Sequence, residues 1–261
     1  MRRPPPARST ALTWLLTCGL AATPALAAER HWADVEVRHW DAEVSGEALV
    51  RDQGIGTLID LERDLGLAGD EVLEGRLLFF PTHSFFLRLA YVPLDLAGDR
   101  PITQPIEFGG EAFDANVRVV SGLDLEYGRF HVGWMFRTAS GRFRVGPMIG
   151  AAGLRGDAKL RAPDLPFPIE ATEEFEGAFG SLGVLIEGEP ISRLELFAEV
   201  SQLVGVDEGD VSDFEAGARI RLVGELRLVV AVRTLAIDFE EDDDRLEADI
   251  EGLSVGLSMR F

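Results

Sequence analysis

The chain has 261 residues, of which 45 are acidic and 25 are basic, so its formal net charge is −20. This acidity argues against nucleic acid as a partner, because contacts to phosphates need clustered cations. The length suits one domain. No apolar run after the N-terminal segment reaches the roughly 20 residues of a membrane-spanning helix, so only strands can carry the chain across a membrane.

The N-terminal segment has the pattern of a cleaved export signal. Arg2 and Arg3 precede an apolar run over residues 11–22, and the run is followed by Ala25-Leu26-Ala27, a typical cleavage site. We expect residues 1–27 to be a signal peptide and residues 28–261 to form one barrel domain. The single cysteine, Cys18, lies in the removed segment, so no thiol ligand or disulfide is expected afterwards. A lipoprotein signal ending at Cys18 is the alternative, which the preceding threonine disfavours.

After Trp32 the sequence breaks into stretches of alternating apolar and polar residues, the pattern of β-strands with two different faces. Short connections alternate with longer polar or acidic ones. The short ones are 80–84, 137–141, 189–192 and 223–225, and the long ones are roughly 51–72, 98–111, 161–173, 205–212 and 240–248. Outer-membrane β-barrels alternate in this way between short periplasmic turns and longer extracellular loops.

The alternation predicts an all-β fold, an antiparallel transmembrane β-barrel of about ten strands with both ends on the periplasmic side. The predicted strands are 34–50, 72–80, 84–97, 112–136, 142–160, 174–189, 192–204, 213–223, 225–239 and 248–261. If the first segment is instead a periplasmic lead-in, the barrel has eight strands.

The fourth predicted strand contains an irregularity. Its apolar residues are odd-numbered up to Tyr127 and even-numbered from Phe130 onwards, with Gly128 and Arg129 between them. We interpret the segment as one strand with a β-bulge at this point, because two strands would make the strand count odd.

The two faces of the predicted strands differ in chemistry. The apolar face is expected to contact lipid, whereas the core of a soluble sandwich would not tolerate the charges on the other face. Glu74, Asp124 and Arg260 share the register of these charges. The predicted lumen charge network consists of Arg76, Arg88, Arg118, Arg142, Arg144, Glu187, Arg193, Glu195, Glu199, Glu215, Arg219, Arg221, Arg227 and Arg233.

Five aromatic residues are candidates for the rings that mark membrane interfaces, because amphipathic aromatic side chains prefer headgroup depth. They are Trp32, Trp40, Tyr91, Tyr127 and Trp134.

The last strand ends in a pattern of its own. Apolar residues occupy alternate positions up to the final aromatic residue, and they are Leu253, Val255, Leu257, Met259 and Phe261. This pattern resembles the terminal assembly signal of bacterial outer-membrane barrels. Residues 34–261 as a whole resemble the small OmpA-like and OmpW-like barrels, by pattern more than by motif, and residues 56–67 are similar to a segment of uncharacterised proteobacterial members.

The resemblance implies a location in the outer membrane of a Gram-negative bacterium. The implied partners are outer-membrane lipid, lipopolysaccharide and the barrel-assembly machinery. Acidic residues in two predicted loops, over residues 207–213 and 240–249, are candidate ligands for divalent cations. No EF-hand spacing is present, and charge runs are usually just solvated.

The histidines are the candidates for acid–base chemistry. Barrel enzymes such as the lipid A deacylases, palmitoyltransferases and omptin proteases use a histidine near the outer rim. Here His31, His39 and His83 fall at the predicted periplasmic end, and His131 falls in the lumen near that end. The motifs of those families do not map onto this sequence, so we predict no catalytic residues, no cofactor and no enzymatic activity.

These patterns favour a structural or surface-interaction barrel whose lumen is plugged by charges. The alternative is a narrow channel for ions or for a small or hydrophobic solute, and the third hypothesis is a lipid-modifying or proteolytic enzyme. In a narrow barrel the side chains fill the interior, so any pore would be tight.

Deleting Phe261 is expected to impair insertion of the barrel, because it removes the aromatic end of the predicted assembly signal. The measurement is the fraction of protein that shows heat-modifiable migration in an outer-membrane preparation. Normal assembly of the truncated chain would contradict the assignment.

Overall fold

The computed structural model describes residues 31–52, 55–67, 69–204, 209–241 and 244–261. The predicted signal peptide and Cys18 lie outside these residues. The described chain is entirely strands, turns and loops, and it contains no helix that could span a membrane. The strands are β1 (Ala33–Asp52), β2 (Ile55–Asp60), β3 (Asp70–Phe79), β4 (Phe85–Pro101), β5 (Ile106–Phe108), β6 (Glu111–Phe113), β7 (Arg118–Trp134), β8 (Phe136–Arg137), β9 (Phe143–Ala162), β10 (Ile169–Ile191), β11 (Leu194–Val204), β12 (Gly209–Val223), β13 (Leu226–Glu241) and β14 (Asp244–Arg260).

Ten of these strands form a closed antiparallel barrel. The order around it is β1-β3-β4-β7-β9-β10-β11-β12-β13-β14, and β14 pairs with β1 over a long register that closes the sheet. The predicted ten-stranded barrel is therefore confirmed. The eight-strand alternative is wrong, because β1 is a full member that pairs with both β14 and β3.

Connections between barrel strands differ at the two ends. At one end they are residues 80–84, 135–142, 192–193 and 224–225, and Trp32 N donates to Phe261 O there at 2.6 Å. We call this the short-turn end and the opposite one the long-loop end. Only the first two connections at the long-loop end are long. The predicted loops 161–173, 205–212 and 240–248 are too long, because β9, β10, β12, β13 and β14 continue pairing into them.

Strand β7 carries no bulge. Its register with β4 and with β9 is continuous, so odd-numbered residues face the interior along its whole length. Tyr127 is inside (1% exposed), and Phe130 is outside (43% exposed). The predicted bulge at Gly128 and Arg129 is therefore wrong. The change in apolar register marks a change in the lumen, which is apolar towards the long-loop end and charged towards the short-turn end.

A large apolar core fills the barrel on the long-loop side. Trp40, Leu96, Tyr127, Leu154 and Leu235 belong to it, and each is at most 5% exposed. Since apolar burial contributes about 25 cal/mol per Å², this core stabilises the barrel much as the core of a soluble domain does.

The long-loop connections form a lid on this core. Leu61, Leu65 and Leu67 pack into it from the turn after β2, and Ile106 and Phe113 pack into it from the β5–β6 hairpin. Polar contacts fasten the turn. Ser121 Oγ donates to Leu65 O at 2.9 Å, and Arg100 Nη1 donates to Glu62 O at 3.0 Å.

An apolar belt surrounds the outside of the barrel. On β14 and at the chain end the outward residues from Leu253 to Phe261 are apolar, whereas Glu247, Asp249 and Glu251 above them are exposed acids. Nine strand residues tilted by about 40° span roughly 23 Å. That height is close to the apolar band, about 25 Å tall, of outer-membrane barrels.

Three of the five aromatic candidates for membrane interfaces lie on the outer surface. Trp32, Tyr91 and Trp134 are about half exposed, and Trp134 contacts Phe85 with ring centroids 5.1 Å apart. Trp40 and Tyr127 are corrected to the interior, where they belong to the apolar core.

Candidate functional site: the ion-pair belt and the short-turn cavity

A network of sixteen buried charges fills the lumen between the apolar core and the short-turn end. Among the described residues it contains eight carboxylates and eight arginines, each at most 9% exposed. Nine of the ten barrel strands contribute to it. We call it the ion-pair belt, and its members are Asp34, Glu36, Arg38, Glu74, Arg76, Arg88, Arg129, Glu187, Glu195, Glu199, Asp213, Glu215, Arg219, Arg227, Arg233 and Arg260.

Glu215 on β12 is the centre of one half of the belt. Its two carboxylate oxygens accept hydrogen bonds from Arg38 on β1 and from Arg76 on β3, which lie three and four strands away around the barrel. Arg38 also donates to Glu36, and Arg76 Nε donates to Glu74 at 2.6 Å. One carboxylate thus joins strands that are not neighbours in the sheet.

Asp213 joins two further arginines. Arg233 Nη2 lies 2.6 Å from Asp213, and its Nη1 lies 3.0 Å from Glu74. Arg129 Nη1 lies 2.7 Å from the same aspartate and 3.4 Å from Glu199. Both arginines therefore bridge carboxylates from different strands.

Arg219 connects this half of the belt to the short-turn end. Its Nε lies 2.5 Å from Glu36, and its Nη1 lies 2.7 Å from Glu195 and 3.3 Å from Glu187. Arg260 Nη2 reaches the same Glu195 at 3.0 Å. The sixteen residues form one connected network.

Aromatic side chains cover several of these cations. The guanidinium carbons of Arg219 and Arg38 lie 4.1 and 5.2 Å from the ring centroid of Phe197, and that of Arg233 lies 4.7 Å from Trp40. Cation–π contacts of this kind stabilise a desolvated cation. They also join the belt to the apolar core through Trp40.

The structure places nine members of the predicted lumen network in the belt: Arg76, Arg88, Glu187, Glu195, Glu199, Glu215, Arg219, Arg227 and Arg233. Arg144 is half-buried beside it and donates to Glu187 at 2.8 Å. The alternation of charged with apolar residues along the strands is the sequence signal that identifies these nine residues and Arg144.

The lumen assignment is corrected for four arginines and one aspartate, all of which are exposed. Arg118 and Asp124 face outward because β7 lacks a bulge, and they pair with Asp99 and Lys159. The others, Arg142, Arg193 and Arg221, lie at or beside the short turns. Arg142 and Arg221 line the cavity at that end and Arg193 does not, but none of the three belongs to the buried network.

Five belt residues are missing from the prediction: Asp34, Glu36, Arg38, Arg129 and Asp213. The first three alternate with apolar residues at the start of β1, the same signal that identified the others. The predicted bulge includes Arg129 and so assigns it to neither face. The predicted acidic loop includes Asp213, whereas β12 carries this residue into the lumen.

The five predicted assembly-signal residues all face outward. Leu253, Val255, Leu257, Met259 and Phe261 are 39–50% exposed, within the apolar belt. Their role in assembly stays a prediction.

The four histidines occupy different places. His131 Nε2 lies 2.8 Å from Ser181 Oγ, and both residues are completely buried. His39 faces outward from β1, 3.9 Å from Glu71. His83 is exposed in a short turn, and His31 lies in the cavity described next. Within the described residues no histidine lies at the long-loop end.

Two of the acidic residues predicted as cation ligands have other partners. Asp213 forms ion pairs with Arg129 and Arg233 in the belt, and Asp210 accepts a hydrogen bond from Gln202 at 3.2 Å. Residues 207, 208, 242 and 243 lie outside the described part of the chain. The described residues hold no group of three or more metal-ligating side chains. Cation binding at these segments stays a prediction.

A cavity of about 620 Å³ lies at the short-turn end, directly beyond the belt. Its wall holds more arginines than carboxylates, although the whole chain is strongly acidic. Burial, followed by the charges of Arg260, Arg144 and Arg227, lowers the pKa of His31 to about 4, so this imidazole is neutral at pH 7. The charged side chains of the wall are Arg137, Arg142, Arg144, Glu187, Glu189, Glu195, Arg221, Glu225, Arg227 and Arg260.

No protein-family model and no curated protein matches the sequence. The fold is similar to that of the outer membrane protease OmpT from Escherichia coli, with a TM-score of 0.61 and 8% identity over 91% of this chain and 99% of that one. The translocator domain of autotransporter NalP from Neisseria meningitidis matches at a TM-score of 0.48 and 9% identity, over 89% of this chain and 90% of that one. At this identity the likeness to OmpT shows a shared barrel fold and nothing about activity.

Changing Glu215 to Gln is expected to destabilise the barrel by about 3–5 kcal/mol, because Arg38 and Arg76 would each lose a buried charged partner. The measurement is urea unfolding of the refolded protein in detergent or lipid. Arg118→Gln is the matched control, since it breaks only exposed pairs, with Asp99 and Asp164, and is expected to leave the unfolding midpoint unchanged. Equal effects of the two substitutions would contradict the role of the belt.

Proposed function

We propose that this chain is a non-conducting outer-membrane β-barrel with a structural or interaction role, and that it acts through its two ends rather than through its lumen. The observation that carries the proposal is the filling of the lumen by two layers. The apolar core and its lid occupy the long-loop half, and the charge-balanced ion-pair belt occupies the other half.

Each layer obstructs a different kind of solute. An ion that entered the apolar core would lose its hydration, at a cost of many kcal/mol. An apolar solute that passed the core would meet arginines and carboxylates that are already paired with one another. The alternative of a narrow channel therefore requires rearrangement of both layers.

A location in the outer membrane is supported by the apolar belt and by the OmpT-like fold. Short turns face the periplasm in such barrels, so the short-turn cavity faces the periplasm and the lid faces outward. Membership of the OmpA-like or OmpW-like barrels is part of the same proposal. Lipid, lipopolysaccharide and the barrel-assembly machinery are the partners that this location implies.

We also propose that the barrel is not an enzyme. The one hydrogen-bonded histidine–serine pair, His131 and Ser181, is completely buried in the described structure. A base and its nucleophile must be within reach of a substrate, and this pair is not.

The refolded protein is expected to show no steady conductance in planar bilayers, because both lumen layers are closed. A general porin, measured in the same bilayers, is the positive control. Steady unitary steps in the unmodified protein that change in size with Arg233→Gln but not with Arg118→Gln would contradict the proposal. Such steps would show that ions pass the ion-pair belt.

A further inference from the structure

The cavity at the short-turn end has chemistry that the closed barrel does not require. It is lined by six arginines and four glutamates, together with His31 and Phe261. We propose that it binds a small, multiply charged oxyanion that bears phosphate or carboxylate groups. Binding itself is independent of the proposed function, which supplies only the expectation that the site faces the periplasm.

Three of the cavity arginines carry uncompensated charge. Within the described part of the chain, Arg137, Arg142 and Arg221 have no ion-pair partner. They lie around the mouth of the cavity, on or beside the turns 135–142 and 224–225. Their positive potential is expected to attract an anion to this face of an otherwise acidic protein.

Deeper in the cavity, two buried groups have hydrogen-bonding atoms without partners. The side chain of Arg227 is 3% exposed, and its Nη2 makes no hydrogen bond within the described structure. His31 Nε2 is buried and equally unpartnered among the described residues. A buried polar atom without a partner costs about 1–3 kcal/mol, and more when it belongs to a charged group. Arg227 Nη2 therefore favours a ligand that offers hydrogen-bond acceptors, and the neutral His31 can donate to the same ligand in its Nε2–H tautomer.

The carboxylates at the mouth hold the deep arginines only loosely. Glu225 lies 3.6 Å from Arg227 Nη2, and Glu189 lies 3.9 Å from Arg260 Nη1. Both distances exceed a normal hydrogen bond, and both glutamates are about half exposed. An incoming oxyanion can take these positions at the arginines while the two glutamates turn into solvent.

The arginines and the size of the cavity define the class of ligand. A guanidinium presents a planar fork of donors that matches phosphate and carboxylate, often in a bidentate way. Sites for small molecules commonly enclose about 300–1,000 Å³, and this cavity of about 620 Å³ lies in that range. A compound with two or more anionic groups would contact the arginines at the mouth and Arg227 at the base together.

The test is isothermal titration calorimetry of the full refolded chain in detergent at pH 7, with pyrophosphate and with citrate as probes at matched ionic strength. We expect saturable binding of at least one probe. If only pyrophosphate binds, the site selects phosphate groups. If only citrate binds, the site selects carboxylates.

The double variant Arg142→Gln/Arg221→Gln is expected to weaken binding by about tenfold or more, because it removes two charge-assisted contacts. Arg193→Gln is the matched control. It removes an exposed arginine of the same barrel end that does not line the cavity, and it is expected to change affinity less than twofold. Both variants alter exposed side chains outside the ion-pair belt, so normal heat-modifiable migration is expected for each.

A gain-of-affinity variant completes the test. Glu225→Gln removes the carboxylate that competes for Arg227 Nη2, and it is expected to tighten binding several-fold. The proposal is overturned if neither probe shows saturable binding, if Arg193→Gln weakens binding as much as the double variant does, or if Glu225→Gln weakens it. None of these outcomes affects the predicted lack of conductance, so the two proposals fail separately.

Discussion

The structure depends on pairing every charge that the strands direct into a desolvated lumen. Moving one charged side chain from water into a protein interior costs several kcal/mol even after relaxation. The barrel places sixteen of them side by side, eight of each sign. Residues such as Glu215 and Asp213 each serve two arginines from different strands. Closure of the sheet is what brings these partners together, so the belt and the barrel stabilise each other.

The ion-pair belt lies between the apolar core and the cavity, and it contacts both. On one side, Trp40 covers Arg233 and continues into a core that the lid closes. On the other side, Arg227 and Arg260 belong to the belt and also line the cavity. The chemistry of the lumen therefore changes along the barrel axis from apolar, through paired charges, to a mouth with an excess of arginine. A closed lumen and an anion site at one end are compatible consequences of this order.

Much of this fold could be predicted because a strand repeats every two residues. Alternation of apolar and charged residues located ten strands within a few residues, and it identified nine members of the belt. The same reasoning failed where apolar residues face the lumen. Tyr127 and Phe130 are aromatic residues three positions apart on β7, so one faces the core and the other faces outward, and a single apolar face can include both only if the strand has a bulge. The ion pairs themselves depend on register and on distances across the lumen, as between Arg38 and Glu215, which alternation does not specify. Nor does it show which arginines at the mouth remain unpaired.

The coupling between Arg233 and Asp213 is the most direct measure of whether paired charges hold the lumen closed. A double-mutant cycle would compare the free energies of unfolding of Arg233→Met, Asp213→Leu and the combined variant in lipid. Mutual dependence of the two charges predicts a coupling free energy above about 1 kcal/mol, with the double variant less destabilised than the sum of the single ones. Strictly additive effects would contradict it, because they would mean that each charge is stabilised without the other.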